Sequence, residues 1–425
     1  NPQTSDDLLD RMISNGIRPD GTIIDTIIHG WAKSRQPDAL ERIESLFVKM
    51  EGTNNDDNLW GNSSVVIRPS TISYTLLIDA YVKNGKAQKA TEILNKILNY
   101  LPQQQQEVNT QSEDTTNPGV PYGNVQLDTI LFNAVINAHA KCGDAAGAEN
   151  VLRLMENMHK DDKPSHQQLN VKPDIISYNT VINAHAKSNI PGSSDKAEAI
   201  LNQMFDMYQQ NNNSDTDNDK HWNKSKSGFV NKDQSSKNTS SSLFPKPDKV
   251  TYSCVIDAHA RAGEAQKAEA ILQRMEDQYQ KFNDQHAKPN MIHFTSVINA
   301  WAKKSNKDRA AAEHAERILF HMETLANENN RIDLYPNTIT YSAVMNAWSK
   351  SRNLSISSHK TKAILNRMER ISKEGKNPNN ITPNTFCYSA VLNAIARSNK
   401  PQKAKEAKAI FENMKSMYEN GNQHV

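Results

Sequence analysis

Residues 173–188 read PDIISYNTVINAHAKS, and this phrase recurs along the chain. Close copies begin at 247 (PDKVTYSCVIDAHARA), 289 (PNMIHFTSVINAWAKK), 336 (PNTITYSAVMNAWSKS) and 383 (PNTFCYSAVLNAIARS). More divergent copies begin at 19 (PDGTIIDTIIHGWAKS), 69 (PSTISYTLLIDAYVKN) and 127 (LDTILFNAVINAHAKC). Eight copies, separated by 42 to 74 residues, predict a repeat architecture instead of one large core.

The periodicity of the phrase distinguishes a helix from a strand. We number each copy from the residue after its opening pair, so that Ile176 is position two and Lys187 is position thirteen. At about 100° per residue, the aromatic at four and the residues at seven, eight and eleven share one face, whereas two, five, nine and thirteen share another. A strand would mix these two sets, so the phrase is predicted to be a helix, helix A.

A second phrase follows each copy of helix A and predicts a helix B. It carries alanine and aliphatic residues at helical spacing and usually closes on a methionine, as at Met155, Met204 and Met275. Neither helix can bury its apolar face alone, so we expect neighbouring pairs to stack. The predicted fold class is all-α, a right-handed α-solenoid of helix-turn-helix repeats.

The repeat starts divide the chain into nine segments. Residues 1–18 resemble the end of a helix B, so we expect the sequence to be a piece of a longer array. Residues 205–246 and the Gln103–Gln106 stretch belong to polar inserts, which are expected to be disordered beyond any extension of helix B. The predicted repeats span 19–68, 69–126 (with its insert), 127–172, 173–246 (with the long insert), 247–288, 289–335, 336–382 and 383–425.

Composition excludes several classes of protein. Only 36% of the 425 residues are hydrophobic, and 50 Lys and Arg against 48 Asp and Glu leave a net charge of +2, so a polyanion would have to be held by local basic positions.

Cys142, Cys254 and Cys387 show no CxxC pairing and are expected to be reduced. The sequence contains no Gly-rich phosphate loop, HExxH or clustered catalytic carboxylates, so neither a catalytic site nor a cofactor is predicted. No run is long and apolar enough for a membrane span.

The repeats resemble pentatricopeptide repeats, helix-turn-helix units of 35 residues, in an array of the P type. SYNTVINAHAK at 177–187 matches the first helix of that family, and Met12 to Asp20 has its M-x6-P-D spacing. The resemblance implies binding of single-stranded RNA in a mitochondrion or plastid, for RNA processing, stabilisation or translation, with one base per repeat. It implies that position five and the residue after the proline read the base, that position two packs on it, and that position thirteen approaches the phosphate.

These implied roles fall on three sets of residues. The base readers are Thr75 with Asp128, Asn133 with Asp174, Asn179 with Asp248, Ser253 with Asn290, Thr295 with Asn337 and Ser342 with Asn384. The base-packing residues are Ile72, Ile130, Ile176, Val250, Ile292, Ile339 and Phe386. The phosphate ligands are Lys83, Lys141, Lys187, Arg261, Lys303, Lys350 and Arg397.

The pairing tendencies of the family turn the base readers into a sequence. Thr with Asp implies G, Asn with Asp implies U, and Ser or Thr with Asn implies A, so repeats two to seven would prefer 5′-GUUAAA-3′. No base is assigned to the first and last repeats. In the first, Ile24 stands where an aromatic is expected beside Asp25, and in the last, no Pro-x pair follows Ser389.

Structural alternatives apply to every set. The residues after the prolines are good N-caps, position five suits an ordinary polar surface, position two could be buried against the preceding helix B, and position thirteen could only stabilise the end of its helix. His139, His185 and His259, at position eleven, are interpreted as packing residues and not as metal ligands. The rival functions are a protein-binding scaffold and the RNA-binding half of a nuclease whose catalytic domain lies elsewhere. The inserts could also recruit other proteins.

Overall fold

The computed structural model describes residues 2–17, 19–34, 36–51, 68–108, 125, 127–160, 171–222, 245–328, 330–375, 378–379 and 381–419. All regular elements in these ranges are helices, which confirms the all-α prediction; the handedness of the array remains a prediction. None of the helices in these ranges is long and apolar enough to cross a membrane.

The helices alternate as the repeated phrases predict. A first helix, α1 (Pro2–Ser14), precedes eight A helices that alternate with eight B helices in the described part of the chain. The A helices are α2 (Gly21–Lys33), α4 (Thr71–Lys83), α6 (Thr129–Lys141), α8 (Ile175–Lys187), α10 (Lys249–Ala262), α12 (Met291–Lys304), α14 (Thr338–Lys350) and α16 (Thr385–Arg397). The B helices are α3 (Ala39–Glu51), α5 (Ala87–Val108), α7 (Ala145–Lys160), α9 (Ser193–Trp222), α11 (Ala265–Phe282), α13 (Ala311–Glu328), α15 (Leu354–Glu374) and α17 (Lys403–Glu419).

The chain divides into two compact units, 1–188 with 225–245 and 189–224 with 246–425. In the first unit each A helix contacts the next, α2 with α4, α4 with α6 and α6 with α8. In the second unit α10 contacts α12, α12 contacts α14 and α14 contacts α16. Each A helix after the first in its unit also packs on the preceding B helix, so that both units are stacks of nearest neighbours, as expected for solenoid repeats.

The predicted apolar face forms the core of each stack. The aromatic side chains at position four are fully buried, as are most of the aliphatic residues at seven and eight. Position eleven is buried too, including His139, His185 and His259, as expected of packing residues. The buried aromatic residues at position four are Tyr74, Phe132, Tyr178, Tyr252, Phe294, Tyr341 and Tyr388.

Polar contacts set the register between repeats. The position-eleven side chain contacts a polar residue of the preceding B helix that lies six positions before its closing methionine. Trp301 Nε1 lies 2.8 Å from Glu269, and His259 Nε2 lies 3.0 Å from Glu198. The same geometry joins His139 Nε2 to Thr91 at 2.6 Å in the first unit. Because the position-eleven side chain in each contact is buried, a shift of one helical turn between neighbouring repeats would leave its polar atom without a hydrogen-bond partner.

The polar inserts are partly helical. The Gln103–Gln106 stretch lies within α5, and α9 continues through NNNSDTDNDK to Trp222, so these parts belong to extended B helices and not to disordered segments. The remainder of the predicted disorder, 109–124 and 223–244, lies outside the described residues. Some of the turns between helices A and B place glycine at a left-handed residue, as at Gly263 with φ of 79°.

Candidate RNA interface

The position-two side chains lie on the surface of both units. Their exposed fractions range from 54% for Val250 to 78% for Phe386. The alternative that they are buried against the preceding B helix is therefore wrong. Seven large apolar side chains in equivalent exposed positions are unusual for a helix face that nothing covers. The full set is Ile72, Ile130, Ile176, Val250, Ile292, Ile339 and Phe386.

The residue after each proline caps the helix A that follows it. Asp174 is typical: its side chain accepts a hydrogen bond from the Ser177 backbone N–H at 2.9 Å, and the hydroxyl of Ser177 is 3.1 Å from the Asp174 backbone nitrogen, which completes a capping box. Equivalent caps are Asp20, Ser70, Asp128, Asp248, Asn290, Asn337 and Asn384. Capping therefore holds for all of these residues, and a role in base reading would be additional to it.

The predicted base readers are neither buried nor fully exposed. The side chains at position five and the caps that follow them all keep part of their surface in solvent. Within the first unit the pair Asn133 and Asp174 is in direct contact, because Asn133 Nδ2 lies 3.1 Å from Asp174 Oδ1. The structure thus brings one predicted pair together through its side chains. Asn179 belongs to the first unit and Asp248 to the second, and each is described within its own unit.

Position three was not identified from the sequence as a site residue. Ser73, Ser177, Thr251 and Thr340 occupy it and are fully buried, although they are polar. In Ser73, Ser177 and Thr340 the hydroxyl contacts position five of the preceding repeat: Asp25, Asn133 and Thr295. A short polar residue directly before the buried aromatic was the available signal.

The position-thirteen cations are all exposed, but they differ in their partners. Three of them donate to backbone carbonyls at the end of the preceding helix A: Lys83 to Ala32, Lys303 to Ala260 and Arg397 to Ser349. These bonds stabilise the end of the neighbouring helix A.

The remaining predicted phosphate ligands have a different environment. Arg261 pairs with Asp257 on its own helix, with Nε 2.6 Å from Oδ2. Lys141, Lys187 and Lys350 have no hydrogen bond or ion pair with any described residue. Since an unpaired exposed ammonium group gives up no protein partner when it meets an anion, these three lysines are the best placed of the set to bind phosphate.

A groove in the second unit runs along the same face. Its volume is about 290 Å³, and it lies between α10, α12 and α14. Positions nine and thirteen line it, including Asn299, Lys303, Asn346 and Lys350. Amide and ammonium groups together suit a ligand that offers both base edges and phosphates.

One cluster in the described ranges could gather three metal-ligating atoms, from Asp195, His259 and Glu264. Lys267 already contacts both carboxylates of this cluster: it bonds to Asp195 and lies 3.3 Å from Glu264 Oε1. Glu264 also accepts from His259 at 2.8 Å, and this bond lowers the pKa of Glu264. The cluster is thus an ion-pair network with its own cation.

Comparison with known proteins identifies the class. Family models described as PPR repeat match residues 72–100, 130–159 and 245–276. Each match begins near the first residue of a helix A and ends in the B helix that follows it. These three segments are therefore pentatricopeptide repeats.

Solved structures of similar fold include two of the pentatricopeptide repeat protein PPR10. One is its complex with an 18-nucleotide psaJ RNA element, at 16% identity and a TM-score of 0.48, covering 99% of this chain and 43% of that one. The other is PPR10 from maize, at 15% identity and a TM-score of 0.41, covering 97% and 46%. This chain therefore spans less than half the length of either. A search of curated proteins gave no match.

Proposed function

We propose that this protein binds single-stranded RNA selectively by sequence, through the face formed by positions two, five and thirteen of its A helices. The supporting observation is the exposure of all seven apolar position-two side chains beside half-buried polar readers and exposed cations. A flat base can be held between apolar side chains of consecutive repeats while its edge meets the polar groups. The three matches to pentatricopeptide repeats support the same ligand.

The proposed roles follow the implied assignment. Position two packs on the base, position five and the following cap contact its edge, and the lysines without partners approach the phosphates. The preferred sequence is 5′-GUUAAA-3′, with the reader pairs of repeats two and three in the first unit and those of repeats five to seven in the second, whereas the pair of repeat four has one member in each. We propose an organellar location, in a mitochondrion or plastid, with the protein acting by occupying or remodelling an RNA site and without catalysis of its own.

A binding experiment tests this proposal directly. Fluorescence anisotropy would compare single-stranded RNA containing GUUAAA with its complement-paired duplex and with a scrambled single strand of the same composition. We expect the single strand containing GUUAAA to bind most tightly, and the logarithm of its affinity to fall linearly with the logarithm of salt concentration. Equal binding to all three RNAs, or no binding, would contradict the proposal. A fluorescent fusion of the full-length protein tests the location.

A further inference from the structure

The buried position-three side chain lies between two predicted base readers. Ser177 Oγ is 2.6 Å from Asn133 Oδ1 and 2.9 Å from Asp174 Oδ1. Asn133 Nδ2 is in turn 3.1 Å from Asp174 Oδ1. Because a carboxylate only accepts hydrogen bonds, the Asn133 amide must turn its nitrogen toward Asp174 and its oxygen toward the Ser177 hydroxyl. One rotamer and one flip of the Asn133 amide are thus favoured before any ligand binds.

The second unit contains the corresponding arrangement with threonines, with the hydrogen bond between positions three and five in the opposite direction. Thr340 Oγ1 is 2.8 Å from Thr295 Oγ1 and 3.0 Å from Asn337 Oδ1. The Thr340 hydroxyl has one proton, and Asn337 Oδ1 can only accept, so Thr340 donates to Asn337 and Thr295 donates to Thr340. Thr295 then presents only lone pairs to a ligand. This suits a base that offers an amino group, as adenine does at N6.

Three other junctions lack a hydroxyl at position three. His293 occupies it in one and contacts the Lys249 carbonyl, and the other two, with Leu131 and Cys387, leave the position-five side chain to bond elsewhere. Where Leu131 follows, Thr75 Oγ1 donates back to the Thr71 carbonyl of its own helix at 2.9 Å. Where Cys387 follows, Ser342 Oγ donates to the Ile339 carbonyl at 2.9 Å, and Cys387 Sγ is 3.9 Å from Met368 Sδ. A bond to a helix carbonyl that is already engaged is easily exchanged, so these readers are less firmly oriented.

We propose that position three of each repeat is a specificity-determining residue for the base read by the repeat before it. It acts as a positioning residue: a hydroxyl there fixes the side chain at position five and with it the donors and acceptors offered to the base. The selectivity of this chain would then depend on three residues per base instead of two, with Ser177 and Thr340 strengthening discrimination and Leu131 and Cys387 leaving it weak. The inference rests on the proposed function.

Conservative substitutions test it in both directions. Thr340→Val removes the hydroxyl beside Thr295, Thr340→Ser keeps it, and Cys387→Ser adds one beside Ser342. Binding would be measured for wild type and each variant against RNAs that carry each of the four bases at one position, for the two adenines assigned to repeats six and seven. Thermal melting of each variant is followed in parallel.

We expect Thr340→Val to reduce discrimination at the repeat-six base by about three- to tenfold, as for removal of one hydrogen bond, with no change at the other bases. Thr340→Ser should retain wild-type discrimination. Cys387→Ser should raise discrimination at the repeat-seven base by a similar factor, and a crystal structure of this variant should show the Ser342 hydroxyl turned toward residue 387.

The outcomes separate this inference from the proposed function. Failure of the wild-type protein to prefer any base at these positions would overturn both. Clear wild-type preference that is unchanged in Thr340→Val and Cys387→Ser would overturn only the role of position three. Equal loss of affinity for all bases would indicate a stacking defect and would also overturn it. If Thr340→Val does not fold, Cys387→Ser carries the test alone.

Discussion

Tyr178 donates a hydrogen bond to Glu156, with the phenol oxygen 2.8 Å from the carboxylate and both side chains buried. The contact joins α8 to α7, and burial beside this carboxylate raises the pKa of Tyr178. The same link recurs between repeats, as Tyr74 with Glu51 at 3.3 Å and Tyr388 with Glu369 at 3.1 Å. In each case the glutamate directly follows the closing methionine of the preceding B helix. The buried aromatic face of helix A thus carries one polar anchor.

Removing this anchor should destabilise the first unit. Tyr178→Phe leaves the buried Glu156 carboxylate with one donor fewer, so we expect the free energy of unfolding to fall by about 1–3 kcal/mol. The matched control is Tyr252→Phe, because the equally buried hydroxyl of Tyr252 has no hydrogen-bond partner among the described residues. Tyr252→Phe should be neutral or slightly stabilising. Urea denaturation of both variants measures the difference, and equal losses would contradict the role of Glu156.

Two isoleucines on α12 should separate stability from binding. Ile292 is 59% exposed, whereas Ile298 is fully buried. Ile292→Ala should change the free energy of unfolding by less than about 0.5 kcal/mol and should weaken RNA binding by about 1 kcal/mol. Ile298→Ala should cost about 2–5 kcal/mol of stability through the cavity that it leaves. RNA affinity unaffected by Ile292→Ala would remove position two from the interface.

The partners of the position-thirteen cations predict which of them bind phosphate. Changing Lys141, Lys187 and Lys350 together to Ala should weaken binding to all RNA sequences alike. The slope of log affinity against log salt concentration should become shallower by about 0.7 for each phosphate that is no longer bound. Since these lysines have no partner among the described residues, the melting temperature should stay constant.

The control triple variant replaces Lys83, Lys303 and Arg397 with Ala. Their bonds to helix ends make a loss of stability the expected result, which thermal melting measures. An altered base preference after substitution of Lys141, Lys187 and Lys350 would argue against their role as phosphate ligands.

The base assigned to repeat seven can be changed by substitution. The double variant Ser342→Asn with Asn384→Asp should select U in place of the last A of GUUAAA in a randomised RNA pool. Aspartate is as good an N-cap as asparagine, so the cap of α16 on the Cys387 backbone N–H should persist and the fold should be retained. Identical selected sequences from wild type and the double variant would show that these residues are only caps and surface groups.

A histidine in the second unit gives a pH dependence of known sign. His321 Nε2 lies 3.0 Å from Glu276 Oε1, and this hydrogen bond raises the pKa of His321 above its ordinary value of about 6.5. The stabilisation is therefore complete below that ordinary value and is lost as pH rises through the raised pKa. Because the His321 side chain is 47% exposed, the effect should stay below about 1 kcal/mol.

The test is a comparison of wild type with His321→Gln. The stability difference between them should be largest near pH 5.5 and should shrink toward pH 8.5. The comparison is needed because burial lowers the pKa of His293. Protonation of His293 therefore destabilises the fold as pH falls, which is opposite to the effect of His321. A difference that is constant with pH would show that Glu276 does not hold the protonated form of His321.

The sequence alone determined the helices and the face on which each residue lies. The spacing of Tyr178, Val181 and Ile182 against Ile176 and Lys187 separates a buried from an exposed face, because a helix has a fixed angle per residue. The first residues of the helices could also be predicted, since Asp174 and its counterparts cap helices by purely local geometry. Sequence and family resemblance could therefore predict both the fold and the set of candidate site residues.

Only the tertiary structure decided which of these residues have partners in other repeats. Ser177 and Asn133 are 44 positions apart, and Lys303 bonds a carbonyl 43 positions away, so neither contact follows from a local period. No local pattern in the sequence measures how far one repeat is displaced against the next. That displacement comes from packing between the A helices and from anchors such as Tyr178 with Glu156, because stacked repeats are positioned by their nearest-neighbour interfaces.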